Sequence, residues 1–496
     1  MRALSNQNGK SCGSFKDPLS VRLTTPLSRA RGPLFRQIYL RLREAILCGA
    51  YRAGDKLPST RDLAEQFGVS RTVALAAYDQ LLAEGYAEGR TGSGTYVASG
   101  VGVRAIRSES KLRIRLSEFG ACAAEAWPLV NVPLRRARLL PYDFAYGRSD
   151  VETFPFEMWR RMLLRSARKA SVSELDYGPA SGNLRLREAI SRHLTRSRSV
   201  VSDPSQVIVV NGSQQALDLI ARVLIEDGDP VAIEDPSYQG TREVLRLAGA
   251  RLCPVPVDRE GLNAKKLPTT ARLAFVTPSH QFPTGTILPI TRRMSLLEWA
   301  RRANAVIIED DYDGEFRYGG QPLESLQGLD REGRVVYIGT FSRTIFSALR
   351  IGYLIVPKGL VPAFAAAKWL CDRHTAALEQ ETLWQFISGG LYERHLRRLR
   401  RRTAARREVL LDSLAKYLGG RVDMTGDGAG AHIVLWPRRR ISEQAIVEKA
   451  ASLGVGVYGI SPYYLKPAKR PGILLGYSRM REPQIREGIR RLGAVL

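Results

Sequence analysis

Five short apolar runs constrain this chain most: QVIVV (206–210), PVAIE (230–234), LAFVT (273–277), AVIIED (305–310) and VVYIG (335–339). Between them lie longer amphipathic segments of helical period. Short apolar strands alternating with helices predict an α/β fold with a mostly parallel sheet. The pattern begins near residue 141, and the 496-residue chain is too long for one ordinary core, so two or more domains are expected.

The preceding segments differ in character. Residues 1–30 are polar, without a sustained apolar period, and read as a flexible tail. Residues 31–99 are dense in helical patterning and end in a Gly-rich turn. Residues 100–140 mix Arg, Ser, Ala and Pro without a period and read as a linker. Hydrophobic content of 44% with 25% charged residues is that of a globular protein, and no run of 18 apolar residues exists to span a membrane. The amino terminus lacks an apolar secretion segment, and five scattered cysteines make neither a disulfide framework nor a metal pair, so a reducing, cytoplasmic setting is expected. A formal net charge of +26 favours polyanion partners, above all nucleic acid. Yet residues 31–99 hold nine Lys/Arg against seven Asp/Glu, a net of only +2. Much of the excess lies elsewhere, as in RHLRRLRRRTAARRE (394–408), whose default reading is a solvated helix face.

Within GDKLPSTRDLAEQFGVSRTVALAAYDQLL (54–82), Ser59 and Asp62 form a capping box, Leu63 and Phe67 give an apolar face, and Gly68 ends the helix. Ser70 caps a second helix with Val73, Ala77, Leu81 and Leu82 expected inward. GYAEGRTGSGTYV follows as a hairpin with Gly92 and Gly94 at its tip. This is a winged helix-turn-helix. PLFRQIYLRLREAI, LPSTRDLAEQFGVSR and RTGSGTYV resemble the DNA-binding domain of GntR-type regulators. That resemblance implies DNA contacts by Arg61, Ser70, Arg71 and Thr72, with Gly92 as the close approach at the wing. Val73 and Ala74 stand where the family usually has Thr then Val.

Three features of the larger part suit an aromatic phosphate. Gly212, Ser213 and Gln214 open a helix after a strand, an anion site by its free amides and dipole. Asp310 and Tyr312 stand at a strand's carboxyl end, where a buried carboxylate can face a protonated pyridine nitrogen. Tyr238, after another strand, can stack on a flat ring. Asp310–Asp313 with Glu315 could instead hold a metal, but no histidine is near in sequence. His280 and His395 read as lone structural histidines, so no metal site is expected.

Together with DYGPASGNLRLREAISRHL, TPSHQFPTGTILPITRR, EDDYDGEFRY and ILLGYSRM, these features resemble fold-type I aminotransferases that use pyridoxal 5′-phosphate. More narrowly the chain resembles MocR/GabR-type regulators, which fuse a GntR-type domain to an aminotransferase-like domain. The fold implied is a winged helix-turn-helix at 31–99 and an α/β aminotransferase-like domain at 141–496, with a small subdomain from about 385. The resemblance further implies a head-to-tail homodimer, double-stranded DNA as partner and a small anionic or amino-acid effector. It places Asp310 at the pyridine nitrogen, Tyr312 at the ring 3-oxygen, Tyr238 on the ring, and Ser213, Gln214 and Arg350 at the phosphate. Phe282 replaces the Asn usual before PTG, Gly240 stands where some members use an arginine, and Arg470 remains as a carboxylate clamp.

One departure is chemical. The family carries its Schiff-base lysine in GTFSK, and this chain reads GTFSR, with Arg343 in its place and no lysine between Lys266 and Lys358. A guanidinium stays protonated at any working pH and offers no free lone pair. Covalent cofactor attachment and catalysis through residue 343 are therefore not expected. Three readings stand: a DNA-binding regulator that senses a ligand non-covalently, an active aminotransferase with an appended DNA-binding domain, and a regulator with a vestigial pocket.

Overall fold

The computed structural model describes residues 27–101, 115–130, 140–318 and 323–496. Most of the expected tail (1–26), and residues 102–114 and 131–139 of the expected linker, lie outside them. The chain divides into two units, Met1–Arg115 and Leu116–Leu496.

The first unit contains α1 (Leu34–Leu47), α2 (Thr60–Phe67), α3 (Arg71–Ala83) and an antiparallel hairpin of β1 (Ala87–Arg90) and β2 (Gly94–Val97). Ser59 Oγ accepts from the Asp62 amide at 3.2 Å and Asp62 Oδ2 accepts from the Ser59 amide at 3.3 Å, closing the capping box. Ser70 occupies the N-cap of α3 without a side-chain bond. The inward stripe of α3 is Ala74, Ala77, Tyr78 and Leu81, while Leu82, expected inward, is exposed. Positions 74, 77, 78 and 81 follow the i, i+3, i+4, i+7 rule, and Val73, expected inward, is partly buried against the same core. The expected tail also ends early, because Leu27 packs on this core and the Ser28 amide donates to Gln37 Oε1 at 3.2 Å.

The second unit opens with α4 (Glu118–Val130), inside the stretch read as a linker; it packs on α8. An Ala-rich composition favours helix here despite its weak periodicity. There follow β3 (Tyr142–Asp143), α5 (Phe156–Lys169), α6 (Leu184–Arg198), β4 (Val207–Val210), α7 (Ser213–Leu224), β5 (Pro230–Asp235), α8 (Gln239–Leu247), β6 (Arg251–Asp258), β7 (Gly261–Leu262) and β8 (Leu273–Val276). Then come α9 (Ile290–Ala303), β9 (Val306–Asp310), α10 (Leu326–Leu329), β10 (Val335–Thr340), β11 (Gly352–Ile355), α11 (Val361–Asp372), α12 (Ala377–Ser388) and α13 (Leu391–Leu418). The chain closes with β12 (Val422–Thr425), β13 (His432–Pro437), α14 (Glu443–Ser452), β14 (Val455–Gly456), β15 (Tyr458–Gly459), β16 (Ile473–Gly476) and α15 (Glu482–Leu492).

The large sheet has the order β4-β11-β10-β9-β8-β5-β6-β7. The strands from β10 through β9, β8 and β5 to β6 pair in parallel, and β11 runs antiparallel to both its neighbours. β12-β13-β16-β15 make a smaller antiparallel sheet. α13 joins the two parts. It sends Tyr392 and Leu396 into one core with β4 and β10, and Leu410, Leu414 and Leu418 into another with β13 and β16. The division expected near residue 385 thus runs through α13, since α12 packs on α5 and α6, and Phe144, far upstream, joins the second core. No helix among the described residues is long and apolar enough to cross a membrane.

The arginine run on α13 is not simply a solvated face. Arg400 bonds Glu315, Arg407 lies over the Tyr318 ring, and buried Arg406 pairs with buried Asp150 at 2.7 Å. Removing one member of a buried pair strands the other charge. Asp150→Ala is expected to destabilise the second unit by about 3–5 kcal/mol, whereas Asp218→Ala, which breaks the solvated pair with Arg222, should cost less than about 0.5 kcal/mol. Urea unfolding of both variants checks the contrast.

Candidate functional site

The parallel strands present their carboxyl ends to one cleft of about 430 Å³. β4 leads to Ser213, β5 to Tyr238 and Gly240, β8 to Thr277, β9 to Asp310 and Tyr312, and β10 to Thr340, Ser342 and Arg343. Arg350 enters from the turn before β11, and Tyr146 and Arg148 from the segment after β3. The fold thus brings Ser213, Tyr238, Asp310, Tyr312, Arg343 and Arg350 together from five segments. Two expected residues fall elsewhere. Gln214 is exposed one residue beyond Ser213 and is not among the lining residues. Arg470 pairs with Asp423 at 3.0 Å and lies over the Trp436 ring, outside the cleft. Its guanidinium already has a carboxylate, so Arg470 is no clamp for this cleft.

Arg350 takes a left-handed backbone conformation, φ +52°, which costs a non-glycine residue about 1–2 kcal/mol. Its guanidinium donates to the Asn211 carbonyl at 3.0 Å and so lies against the turn that starts α7. Gly212 makes this possible: its φ is +78°, and a Cβ there would sit 2.7 Å from Arg350 Nη2. The turn is braced from behind by Asp372, which accepts from Asn211 and Gln215 and pairs with buried Lys368.

Asp310 is almost fully buried, and its Oδ1 finds no hydrogen-bond partner among the described residues. Burial, reinforced by the neighbouring Asp311, pushes its carboxyl up to about 7, against the opposing pull of Arg343. Glu234, under the same cleft, is also raised to about 7 by burial although Thr277 and Gln281 donate to it. Tyr312 donates its hydroxyl to the His280 carbonyl at 2.8 Å. The Arg343 guanidinium lies over the Tyr312 ring, 5.5 Å from its centroid. Tyr238 meets Phe282 edge-on at 5.9 Å, and its ring fills the space where a side chain at position 240 would go.

Among the described residues, none of Arg148, Arg343 and Arg350 has a carboxylate within ion-pair distance, and no lysine lines the cleft. Lys368 is held by Asp372. Lys358 follows β11, whose Ile355 pairs with Tyr337 while Gly352 pairs with Thr340, so it lies beyond the end of the sheet opposite the cleft. Sequence reasoning missed Arg148, which follows an unremarkable glycine, and Ser342, whose buried hydroxyl faces the cleft without a partner. The GTFS motif carried the signal for Ser342. Nothing marked Arg148.

In the first unit, Arg61, Ser70, Arg71 and Thr72 are exposed around the starts of α2 and α3. Gly92, φ +71°, turns the hairpin tip. The wing also carries two unforeseen cations, with Arg90 4.5 Å and Lys56 5.8 Å from the Tyr96 ring centroid.

Residues 34–97 match the bacterial regulatory proteins of the gntR family, and residues 143–485 match aminotransferase class I and II. Over 463 residues, 93% of each chain, the sequence is 38% identical to the probable rhizopine catabolism regulatory protein MocR of Rhizobium meliloti. It is 33% identical to the transcriptional regulator TauR of Rhodobacter capsulatus, across 94% of this chain and 97% of TauR. The fold is similar to that of an α-aminoadipate aminotransferase of Thermus thermophilus solved with N-(5′-phosphopyridoxyl)-L-leucine, with a TM-score of 0.68 and 28% identity across 75% of this chain and 96% of that one. A winged helix that presents arginines, followed by an aminotransferase fold and matched along nearly its whole length by regulators, places this chain in the family of MocR-type transcriptional regulators, which join a GntR DNA-binding domain to an aminotransferase-like domain.

Proposed function

We propose that the aminotransferase-like domain recognises a pyridoxal-phosphate-type ligand, or its adduct with an amino acid, without bonding to it, and that this recognition governs DNA binding. The observation that carries the proposal is the charge pattern of the cleft. Three unpaired guanidinium groups surround one buried carboxylate that lacks a hydrogen-bond donor, and no amine is within the lining. Ser213, Ser342 and Arg350 would hold the phosphate at the start of α7. Asp310 would take the protonated ring nitrogen. Tyr312 and Tyr238 would border the ring, and Arg343 and Arg148 would bind a second anionic group such as a carboxylate. When bound, such a cofactor supplies an electron-withdrawing ring; among the described residues no lysine lines the cleft to link it or to carry protons to and from a substrate carbon. Arg343 therefore disfavours the aminotransferase reading.

For DNA, Arg61, Ser70, Arg71 and Thr72 are proposed to reach phosphates and base edges in the major groove, and Gly92 to let the wing backbone approach closely. A homodimer fits paired half-sites. A cluster of exposed apolar side chains supports it: Arg373 lies over both Tyr177 and Trp369, with Leu370 beside them.

Borohydride treatment of the chain mixed with pyridoxal phosphate should leave residue 343 unlabelled, and Arg343→Lys should be labelled there at about one cofactor per chain, by peptide mass spectrometry. A single stoichiometrically labelled lysine in the unaltered chain would overturn the non-covalent reading. Arg350→Ala and Arg148→Ala should each weaken phosphopyridoxyl-amino-acid binding by about tenfold or more in calorimetry.

Asp310 carries a pH signature. Its carboxyl lies at about 7 in the folded chain against 3.8 ordinarily, so between those values the folded state binds the extra proton and stability falls as pH rises. Asp310→Asn should remove on the order of 1–4 kcal/mol of that fall, seen as a flatter melting temperature of the second unit from pH 5 to pH 8. For DNA, Arg61→Ala with Arg71→Ala should lower the slope of log affinity against log salt by up to about 1.8 per bound protomer, about 3.6 for a dimer on paired half-sites, in a promoter-binding titration.

A further inference from the structure

Beside Tyr312, three side chains from distant segments converge. His280 comes from the loop after β8, Asp313 from the loop after β9, and His432 opens β13. They are 2%, 3% and 2% exposed. His280 Nδ1 stands 3.5 Å from Asp313 Oδ2, and His432 Nδ1 stands 3.9 Å from the same oxygen. One donor atom from each residue lies within 4.8 Å of the other two. The two imidazole rings are tilted by 55°, with centroids 4.5 Å apart.

The hydrogen bonds fix how one ring is protonated. His432 Nε2 is 3.1 Å from the Pro283 carbonyl, which can only accept, so Nε2 bears the proton. In the neutral ring, Nδ1 then turns a lone pair toward the Asp313 carboxylate. Asp313 Oδ2 accepts from the Ala431 amide and lies beside His280, but the His432 lone pair aimed at it has no donor, and the buried His280 Nε2 has no partner among the described residues; a cation held by the three side chains would satisfy these lone pairs. Asp313 Oδ2 is oriented by the Ala431 amide at 3.1 Å, and the His280 backbone by the Tyr312 hydroxyl. Room for the His280 ring comes from Gly285, where a Cβ would lie 2.9 Å from Nε2.

Two imidazoles and one carboxylate suit a borderline divalent ion. Tetrahedral coordination with bonds of about 2.0–2.2 Å separates donors by about 3.3–3.6 Å. The observed 3.5 and 3.9 Å lie within about half an ångström of that range. A contrast is available in the same domain: His193 gives each ring nitrogen its own carboxylate, Glu315 and Glu393, both at 3.0 Å, and leaves no donor for an ion.

We propose that His280, Asp313 and His432 bind a divalent metal of the zinc class, with water or the Tyr312 hydroxyl, 3.3 Å from His280 Nδ1, completing the shell. Tyr312 and Phe282, which border the cleft, follow or precede these ligands closely in sequence, so the ion would brace one wall of the ligand site.

The test uses the full chain, stripped with a chelator, equilibrated with zinc or cobalt(II) and desalted. Elemental analysis should find about one ion per chain, and the cobalt form should show the strong visible absorption of a tetrahedral site. Asp313→Asn and His432→Phe should each weaken retention at least about tenfold, while His374→Asn should keep the ion. A folded, unaltered chain that retains no ion above background would overturn the proposal, and so would equal retention by all three variants, which places the ion elsewhere. The first result needs no variant, so misfolding of a variant cannot blur the answer.

Discussion

A charge taken out of water must find an opposite charge or a dense set of dipoles, and this requirement organises the aminotransferase-like domain. Under the carboxyl ends of the strands, Arg198 pairs with Asp311 at 2.7 Å, and Tyr337 donates to the same carboxylate at 2.6 Å. Glu315, held down to about 2, is paired with His193 and Arg400. Asp150 answers Arg406. Against that background of matched charges, the cleft stands out because its arginines are not matched. Arg148, Arg343 and Arg350 face a single carboxylate whose own burial has weakened its charge. A surplus of fixed positive charge in a concave site attracts anions, and Asp310 Oδ1 and Ser342 Oγ, without partners among the described residues, give the proposed ligand a direction.

The loop that carries Arg343 is rigid. The Phe341 amide donates to Ile351, the Ile345 amide to Phe341, and buried His395 is 2.6 Å from the Thr344 carbonyl. Thr344 also shares a bond with the Tyr392 hydroxyl. Residue 343 is therefore presented to the cleft by the scaffold whatever its side chain. With an amine there, the same geometry would serve bond formation; a guanidinium there suits the proposed recognition, since the planar fork binds oxyanions and keeps its proton at working pH. On that proposal, the change from reactive to receptive site needs no change of fold.

Much of this was legible in the sequence because the controlling interactions are local. The capping box at Ser59 and Asp62 is a three-residue pattern, and β4, β5, β8, β9 and β10 are uninterrupted apolar runs. Asp310, Tyr312 and Arg343 sit at strand ends, where the parallel topology makes residues converge. What escaped was set by partners far along the chain. Arg470 looked free until Asp423, 47 residues away, was seen to hold it. The arginines of α13 looked solvated until Asp150 and Glu315 were seen beneath them. His280 looked solitary because His432 is 152 positions distant and reaches it only through the pairing of β13 with β16 and the approach of the 280–285 turn. Helix α4 was missed for the opposite reason, since an Ala-rich segment leaves little periodicity to read.

The charge distribution also bears on how DNA is recognised. The chain's +26 is concentrated outside residues 31–99, whose net charge is only +2, and part of the excess is spent on internal pairs such as Arg198, Arg400 and Arg406. The winged helix therefore has no broad positive field of its own. Exposed acids such as Asp79 and Glu65 on its helices oppose one. On the proposed reading, attraction to phosphate rests on a few exposed cations, Arg61 and Arg71 at the helix starts, with Lys56 and the Glu88-paired Arg90 against the Tyr96 ring of the wing. A domain that binds through a few contacts is sensitive to how two copies are spaced, because each half-site alone is weak and only simultaneous engagement gives useful affinity. That is the property the proposed ligand recognition and dimerisation of the aminotransferase-like domain would control.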